Sequence, residues 1–362
     1  MDNLLSADWL LAGPRGRRLC FQLVCLLDDD VRVAAYYAAI PFDEISGSNK
    51  AYFVLIDDGD VRRTEQIQPP LGITNNLERF VNTLNKATFR EPTEYELIHA
   101  FADVTAYARY WQPPDSEDLL IATPEVVEAL RPAAELIAAS PAVSWWTTPV
   151  YRPEQWIAKR GQAIRSGNAE PLDAWQADLI RQEQEFQKRI AKNPIYNLSG
   201  KWWSTPDNWD IPATARAISG FGPVHLYLEE DANSNDAAYG QAYRISENAA
   251  VFEIRQPEDW VELCRRYPIA VNSKCHDWSS TTGAQPAQWL QPDWAAVAGD
   301  YAGVHLTAVA YLAGAGRALY LHDGAATVLA GFNPDTTYWL HGLANIATPI
   351  KTPKYFPPLK WD

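Results

Sequence analysis

Apolar residues recur at helical spacing through much of the first half of the chain. Thr93 and Glu96 stand at the spacing of a capping box, the signature of a helix N-terminus. Thr123 is expected to cap the next helix, since a proline, which is tolerated in the first helical turn, follows it. Pro132 should kink or split that helix. The pattern predicts helices over residues 75–88, 92–111 and 123–140.

The first 65 residues show a different pattern. A short helix is predicted at 4–11, followed by a Gly-Pro-Arg-Gly turn. Apolar runs with β-branched and aromatic residues then indicate strands. An Asp-Gly pair at 58–59 favours a hairpin turn. We therefore expect a small antiparallel sheet between residues 15 and 65, with strands at 18–27, 31–40 and 51–57.

Residues 168–194 form the most polar predicted helix. Its apolar positions make a narrow stripe, which Gln182 interrupts. We interpret it as a surface helix that bridges two halves of the chain, with an oligomer contact as the alternative. The stripe consists of Leu172, Trp175, Leu179, Phe186 and Ile190.

The second half is predicted to be richer in strands. Helices are expected at 257–267 and 292–301, and a long loop at 274–291. Strands with few intervening helices indicate an α+β fold with two mixed, mainly antiparallel sheet regions and packed helices. We expect an N-terminal region at 1–165, the bridging helix at 166–200 and a C-terminal region at 201–362. Strand-like runs lie at 224–230, 241–246, 250–256, 268–273, 303–312, 317–324 and 327–333.

The charge, the apolar stretches and the cysteines of the chain argue against several classes of function. The formal net charge is -14, which repels nucleic acid and anionic membranes, and the one tight basic patch is Arg15, Arg17 and Arg18. No apolar stretch reaches membrane-spanning length, and acids rather than bases precede the first apolar run. The four cysteines show no zinc-site spacing. We expect a cytoplasmic, soluble protein with no metal and no cofactor, and with neither nucleic acid nor membrane as a partner.

The chain contains 15 tryptophans, and two stretches repeat the order Trp-Trp-[Ser/Thr]-Thr-Pro. Several other tryptophans follow an acid at a helix start and are interpreted as packing anchors. The paired tryptophans are predicted to end strands, with one ring on each face. Such rings can line an aromatic ligand cleft or close the junction between the two halves. The candidate ligand-binding residues are Trp145, Trp146, Trp202 and Trp203.

Titratable residues of the second half supply the candidate catalytic groups. Glu229 and Glu230 end an apolar run before a polar loop, a setting that suits acid–base work or a solvated turn. His276 lies in the predicted long loop, and His305 lies in an apolar run where a core histidine is the simpler interpretation. Arg216 follows the second tryptophan pair.

No dinucleotide, phosphate-loop, nucleophile-elbow or zinc-protease motif occurs in the chain. Our first hypothesis is therefore a small-molecule-binding or interaction module with an aromatic cleft between two halves, whose partner is a small ligand or a protein. The alternative is an enzyme with its site in the C-terminal half. Convergence of Arg216, Glu229, His276 and His305 in one pocket would favour the enzyme.

The enzyme alternative covers two classes of enzyme. An ADP-ribosyltransferase-like site needs an arginine, then a Ser or Thr such as Thr281 or Thr307, then a late glutamate. No glutamate follows Glu262, so Asp335 would have to replace it. A glycoside-hydrolase-like site needs two carboxylates, here Glu229 or Glu230 with Asp277 or Asp293.

Overall fold

The computed structural model describes residues 5–46, 53–58, 61–66, 73–160, 172–192, 200–206, 211–232 and 236–357. The α-helices are α1 (Ala7–Ala12), α2 (Pro14–Leu27), α3 (Asp29–Ser46), α4 (Ile73–Lys86), α5 (Glu94–Ala106), α6 (Ser116–Leu120), α7 (Pro124–Ala129), α8 (Arg131–Ala139), α9 (Leu172–Lys192), α10 (Pro257–Arg266), α11 (Cys275–Thr282), α12 (Trp294–Asp300) and α13 (Ala308–Gly314). Short 3-10 helices cover Pro141–Thr147, Val224–Leu226 and Asn272–Lys274.

The strands concentrate in the second half of the chain. They are β1 (Phe53–Asp58), β2 (Val61–Gln66), β3 (Gln155–Arg160), β4 (Ala213–Ala215), β5 (Ala217–Ile218), β6 (Gly222–Pro223), β7 (Ala238–Ile245), β8 (Val251–Ile254), β9 (Pro268–Ala270), β10 (Gln288–Pro292), β11 (Gly303–Leu306), β12 (Ala318–Tyr320), β13 (Ala325–Val328), β14 (Thr336–Trp339), β15 (Ala347–Pro349) and β16 (Lys354–Phe356). The mixture of helices with mainly antiparallel sheets confirms the predicted α+β class.

The largest sheet has eight strands in the order β15-β7-β3-β4-β14-β11-β8, with β16 also pairing β7. Its pairs are antiparallel except β11 with β8, which run parallel. β3 comes from the first half of the chain and lies between β7 and β4. A second sheet has the order β12-β13-β10-β9, and β1–β2 and β5–β6 form hairpin-like pairs. The division of the chain at residues 165 and 200 stays a prediction.

Local helix signals of the first half are confirmed. The capping box at the start of α5 is formed, since Thr93 accepts from the Glu96 N–H and Glu96 accepts from the Thr93 N–H. The predicted helix at 123–140 is split into α7 and α8 next to Pro132. α9 is present and buries its stripe at Leu172, Trp175, Leu179 and Phe186.

The predicted strands at 18–27 and 31–40 are wrong, because both segments are helical, in α2 and α3. An apolar run of this length does not distinguish a strand from a buried helix by its pattern alone. α2 is buried on most sides, so its apolar positions run together and hide the helical period. The third predicted strand is confirmed in β1, which pairs with β2.

Two predictions for the second half are also wrong. Residues 224–230 contain a 3-10 turn instead of a strand, and the predicted loop at 274–291 contains α11 and most of β10. The remaining strand-like runs each contain strand residues, but the second half of 303–312 is wrong, because residues 308–312 belong to the helix α13. In the run 327–333 only Thr327 and Val328 lie in a strand, β13. Among the described residues, no helix is both long and apolar enough to cross a membrane.

α13 occupies the centre of the fold. All seven of its residues are buried, as is typical of a helix that is covered on every side. Thr307 caps it by accepting from the Ala310 N–H. Its C-terminal turn meets the start of α2 so closely that a Cβ on Gly13 would lie 2.5 Å from the Ala313 carbonyl oxygen. The helical layer and the sheet therefore share one apolar core.

Gly16 gives a test of this close packing. A Cβ at this position would lie 2.0 Å from the Leu10 carbonyl oxygen, and backbone atoms cannot move aside cheaply. We expect Gly16→Ala to lower the free energy of unfolding by about 2 kcal/mol or more in urea denaturation. Gly299→Ala on α12 is the control, since its Cβ would meet nothing within 4 Å. That variant should be unchanged or more stable by up to about 1 kcal/mol, and equal losses in both would contradict the packing argument.

Candidate functional site

Four charged side chains that are distant in sequence form one network of alternating charge. Nε of Arg216 donates to Oδ1 of Asp335 at 2.8 Å. The same Oδ1 lies 3.5 Å from Nε2 of His305, and Nδ1 of His305 lies 2.6 Å from Oε2 of Glu253. The side chains of Arg216, Asp335 and His305 are 8%, 1% and 1% exposed, whereas that of Glu253 is 16% exposed. The network therefore runs from the core toward the surface.

Strand register brings these groups together. His305 on β11 is directly opposite Glu253 on the parallel strand β8. β11 also pairs with β14, and Asp335 immediately precedes β14. Arg216 immediately follows β4, which pairs with the other edge of β14. Four neighbouring strands thus place one charged residue each near the same end of β14.

Asp335 adopts a left-handed backbone conformation with φ of 51°. Aspartate tolerates this region better than most residues, and the Asn-Pro-Asp sequence is typical of a turn. The turn lets Oδ2 accept from the backbone N–H of Arg216 at 3.3 Å while Oδ1 accepts from its guanidinium. One carboxylate therefore holds both the main chain and the side chain of Arg216.

The charges of the network stabilise one another. Burial by itself would lower the pKa of His305, but its close contacts with the Asp335 and Glu253 carboxylates outweigh burial and raise that pKa above its ordinary value. Burial opposes ionisation of Asp335 as well, yet the neighbouring His305 and the charge of Arg216 lower its pKa. These shifts favour a protonated His305 beside an ionised Asp335.

Arg216 connects the sheet to the segment that follows the 3-10 helix Pro141–Thr147. Its Nη1 donates to Oγ1 of Thr148 at 2.7 Å, and its Nη2 donates to the carbonyl oxygen of Pro149 at 3.1 Å. Its guanidinium carbon lies 5.4 Å from the centroid of the Trp145 ring, within the range of a cation–π contact. Glu253 adds a further bond, since its Oε1 accepts from the Val150 N–H at 3.1 Å.

An open cavity of about 800 Å³ lies over this network. Its charged wall contains Glu253, on β8, and Arg255, which directly follows that strand. Trp145 supplies an aromatic wall. The lining residues are Ser144, Trp145, Thr148, Pro149, Val150, Tyr151, Arg152, Pro153, Arg216, Glu247, Val251, Glu253 and Arg255.

The structure brings together two of the five candidate catalytic residues. Arg216 lines the cavity, and His305 lies behind Glu253 in the network. Glu229, Glu230 and His276 do not line it. Of the four residues whose convergence in one pocket would favour an enzyme, only Arg216 lines this cavity, so that convergence is not found here.

The two tryptophan pairs lie in different surroundings. Trp145 and Trp146 belong to the 3-10 helix Pro141–Thr147, so the predicted strand end is wrong there. Trp145 lines the cavity, whereas Trp146 is 1% exposed and packs edge-on against Phe101.

The second tryptophan pair lies in a segment without regular secondary structure. Trp202 packs against Tyr110, and its carbonyl oxygen accepts from Nε1 of Trp278 at 2.6 Å. Trp203 packs its Cβ against Gly331, and its carbonyl oxygen accepts from Nζ of Lys274. These contacts anchor the second pair in a region that does not line the cavity.

Glu230 lies in a second, separate polar cluster with Tyr110, Tyr311 and Arg15. Burial raises the pKa of Glu230 to about 8, against the opposing effects of the neighbouring Tyr311 hydroxyl, the hydrogen bond from the Gly331 N–H and the neighbouring Tyr110 hydroxyl. Burial also raises the pKa of Tyr110 and of Tyr311 well above the ordinary value. Near neutral pH this cluster therefore favours a protonated, uncharged carboxyl group.

Sequence reasoning missed Glu253 and Arg255 as site residues. Their signal is present in the sequence, because an acid and a base flank Ile254 at the end of an otherwise apolar run, and alternate residues of an extended chain share a face. The sequence indicates Asp335 only as a turn residue and as a replacement for a late glutamate. Its contact with Arg216 spans 119 residues of sequence, and no local pattern reports such a contact.

The described residues contain no group of three or more His, Cys, Asp or Glu side chains that could hold a metal ion. Comparison of the chain with protein-family models, with curated proteins and with solved structures finds no match. The function must therefore be argued from the geometry of the site.

The Asp335 carboxylate provides a stability test of the network. Asp335→Asn keeps the size of the side chain and its tolerance of the left-handed turn, but leaves Arg216 and His305 without the central negative charge. Breaking a buried ion pair from one side costs about 3–5 kcal/mol, and we expect a loss of that size in urea denaturation. Asp29→Asn is the control, because its side chain is 87% exposed and pairs only with the exposed Arg32 at the start of α3, and it should lose less than about 1 kcal/mol. A loss below about 1 kcal/mol for Asp335→Asn would contradict the network.

Glu230 gives a pH test. The unfolded chain ionises this group near its ordinary pKa of 4.5, whereas the folded protein does so at about 8. Between these values the folded state binds more protons, so stability should fall as pH rises from about 5 to 8. We expect Glu230→Gln to remove this contribution and to be more stable than wild type at pH 8, with little difference at pH 4.5. Urea midpoints measured across this pH range, with Glu258→Gln on the surface of α10 as control, check the sign.

Proposed function

We propose that this protein binds a small organic molecule with a planar ring and a negatively charged group, in the cavity beside Trp145 and Arg255. The observation that carries the proposal is the fixed wall of that cavity. Trp145 and Glu253 are each held by partners in the buried network, so the wall keeps its shape without a ligand. Preformed concave sites with an aromatic wall and a few fixed polar groups are typical of small-molecule sites.

The charges of the lining favour an anionic ligand. Arg152 donates from Nη1 to the carbonyl oxygen of Ser246 at 2.7 Å and from Nη2 to that of Ala249 at 2.9 Å. Arg216 is committed to Asp335, Thr148 and Pro149. Arg255 is exposed, and its guanidinium forms no ion pair with any residue that the structure describes. It is therefore the cation that a ligand can use.

The aromatic part of the lining favours a planar group on the same ligand. Trp145 is half-buried and Tyr151 is 49% exposed, so both retain ring surface at the cavity. Stacking on such rings is worth about 1–3 kcal/mol per nucleobase. A nucleotide combines a ring with an anionic group and is the ligand class that we propose.

An enzyme remains the second candidate, in the ADP-ribosyltransferase-like or glycoside-hydrolase-like form. It is favoured by two carboxylates, Glu247 and Glu253, that line one cavity with a tryptophan. Glu253 also has His305 directly behind it, which fixes the orientation of its carboxylate. Turnover that Glu253→Gln abolishes while binding persists would support this candidate over simple binding.

A ligand screen by thermal shift, followed by calorimetry, tests the binding proposal. The panel contains mononucleotides, nicotinamide dinucleotides and neutral oligosaccharides. A ligand at 100 times its dissociation constant stabilises a fold by about 2.7 kcal/mol, so a match is readily seen. We expect nucleotides to shift the midpoint and oligosaccharides to leave it. A shift with oligosaccharides alone would favour the glycoside-hydrolase-like candidate, and no shift at all would contradict a small-molecule site and leave a protein partner.

Arg255→Ala locates the site. Removing one charge-assisted hydrogen bond costs about 1.5–3 kcal/mol, so the affinity for a bound nucleotide should fall roughly 10- to 100-fold. The corresponding nucleoside, which lacks the anionic group, should bind both proteins equally. Arg265→Ala on α10 is the matched control, since Arg265 is exposed and does not line the cavity. Equal affinities for wild type and Arg255→Ala would place the ligand elsewhere.

A further inference from the structure

A second cavity, of about 330 Å³, lies where α2 begins, apart from the site described above. It shares no lining residue with the first cavity. Its walls come from the α1–α2 junction, the segment before α6, the end of α11 and the start of β12. The charged lining residues are Arg15, Arg17, Arg109, Arg317, Asp115 and Asp118.

Arg15 is the deepest of these groups. It is 4% exposed, and only its Nη2 has a partner, Oδ2 of Asp118 at 2.5 Å. Its Nε and Nη1 are buried and donate to no atom of the described residues. Neither nitrogen is accessible to solvent, and the guanidinium carbon lies 6.0 Å from the centroid of the Tyr110 ring. Arg15 therefore adds its positive charge to the cavity from behind the lining surface.

Two further arginines at the cavity have no carboxylate partner in the described part of the chain. Nη1 of Arg17 donates to the carbonyl oxygens of Leu11 and Ala12, at 3.0 and 3.3 Å, and its Nε is buried without a partner. Nη1 of Arg317 donates to the carbonyl oxygens of Ala313 and Ala12, at 3.2 and 3.5 Å. These contacts position both side chains while leaving their charge uncompensated.

The aspartates of the lining are already engaged. Asp118 is shared by Arg15 and Arg18, and Asp115 binds Arg18 and caps α6 through the Asp118 N–H at 2.8 Å. Arg109 pairs with Asp231 at 3.3 Å. Arg17 and Arg317 therefore remain as two arginines of the lining without a carboxylate partner among the described residues, in a chain whose net charge is -14. A phosphate group carries about 1.5 to 2 negative charges near neutral pH and accepts well from arginine forks.

We propose that this cavity is a phosphate-binding site for a small phosphorylated metabolite, in which Arg17 and Arg317 contact the anion and the buried Arg15 adds its positive charge behind them. α2 adds to the field, because its N-terminal turn has no side-chain cap and opens at Pro14, beside Arg15. The volume accommodates a phosphate with a small organic group. The proposal does not depend on the function proposed for the first cavity.

Calorimetric titration with inorganic phosphate, at constant ionic strength in chloride, tests the site. We expect saturable one-site binding to wild type and at least a 10-fold weaker affinity in both Arg317→Gln and Arg17→Gln. Arg265→Gln on the surface of α10 is the matched control and should bind phosphate as wild type does. Absence of saturable binding, or unchanged binding in Arg317→Gln, would overturn the proposal.

Two further arms complete the experiment. In one arm acetate replaces phosphate. If the protein binds acetate but does not bind phosphate, the choice of phosphate as the ligand is wrong.

In the other arm, wild-type protein is treated with phenylglyoxal, and modified arginines are identified by mass spectrometry. Phosphate should protect Arg17 and Arg317 but not Arg265, whereas equal modification with and without phosphate would count against the site. This arm needs no variant, so a folding defect cannot obscure it.

Discussion

The ion pair between Arg216 and Asp335 is the contact on which the candidate site depends. Both side chains are removed from water, and burying two charges is unfavourable unless hydrogen bonds and opposite charges compensate. Here the compensation is extensive, since Asp335 accepts from the main chain and the side chain of Arg216 and also faces His305. The other ring nitrogen of His305 lies 2.6 Å from the carboxylate of Glu253, which is nearer the surface.

This network also determines how the helical layer meets the sheet. Arg216 donates to Thr148 and Pro149, and Glu253 accepts from Val150, so the segment after the 3-10 helix is attached to β4 and β8 at three points. Trp145 lies on that 3-10 helix and stacks with the Arg216 guanidinium. The first cavity therefore has a wall whose geometry is fixed by buried charges rather than by apolar packing alone.

The two cavities differ in how they use arginine. In the first, Arg216 is satisfied by protein partners and shapes the wall, which leaves the exposed Arg255 for a ligand. In the second, the buried Arg15 is itself incompletely satisfied. An acidic chain that gathers uncompensated arginines at one cavity creates a local field opposite to its net charge, and such a field attracts anions.

The sequence alone determined the α+β class, the capped helices and the helix break beside Pro132, because caps, prolines and apolar stripes act over a few residues. It also identified Arg216, His305 and Trp145 as residues of interest. The tertiary structure decided the rest. α2 is a helix because packing on most sides overrides a pattern that resembles a strand. The contacts among Glu253, His305, Asp335 and Arg216 arise from strand order and register, which long-range packing sets and no local spacing encodes.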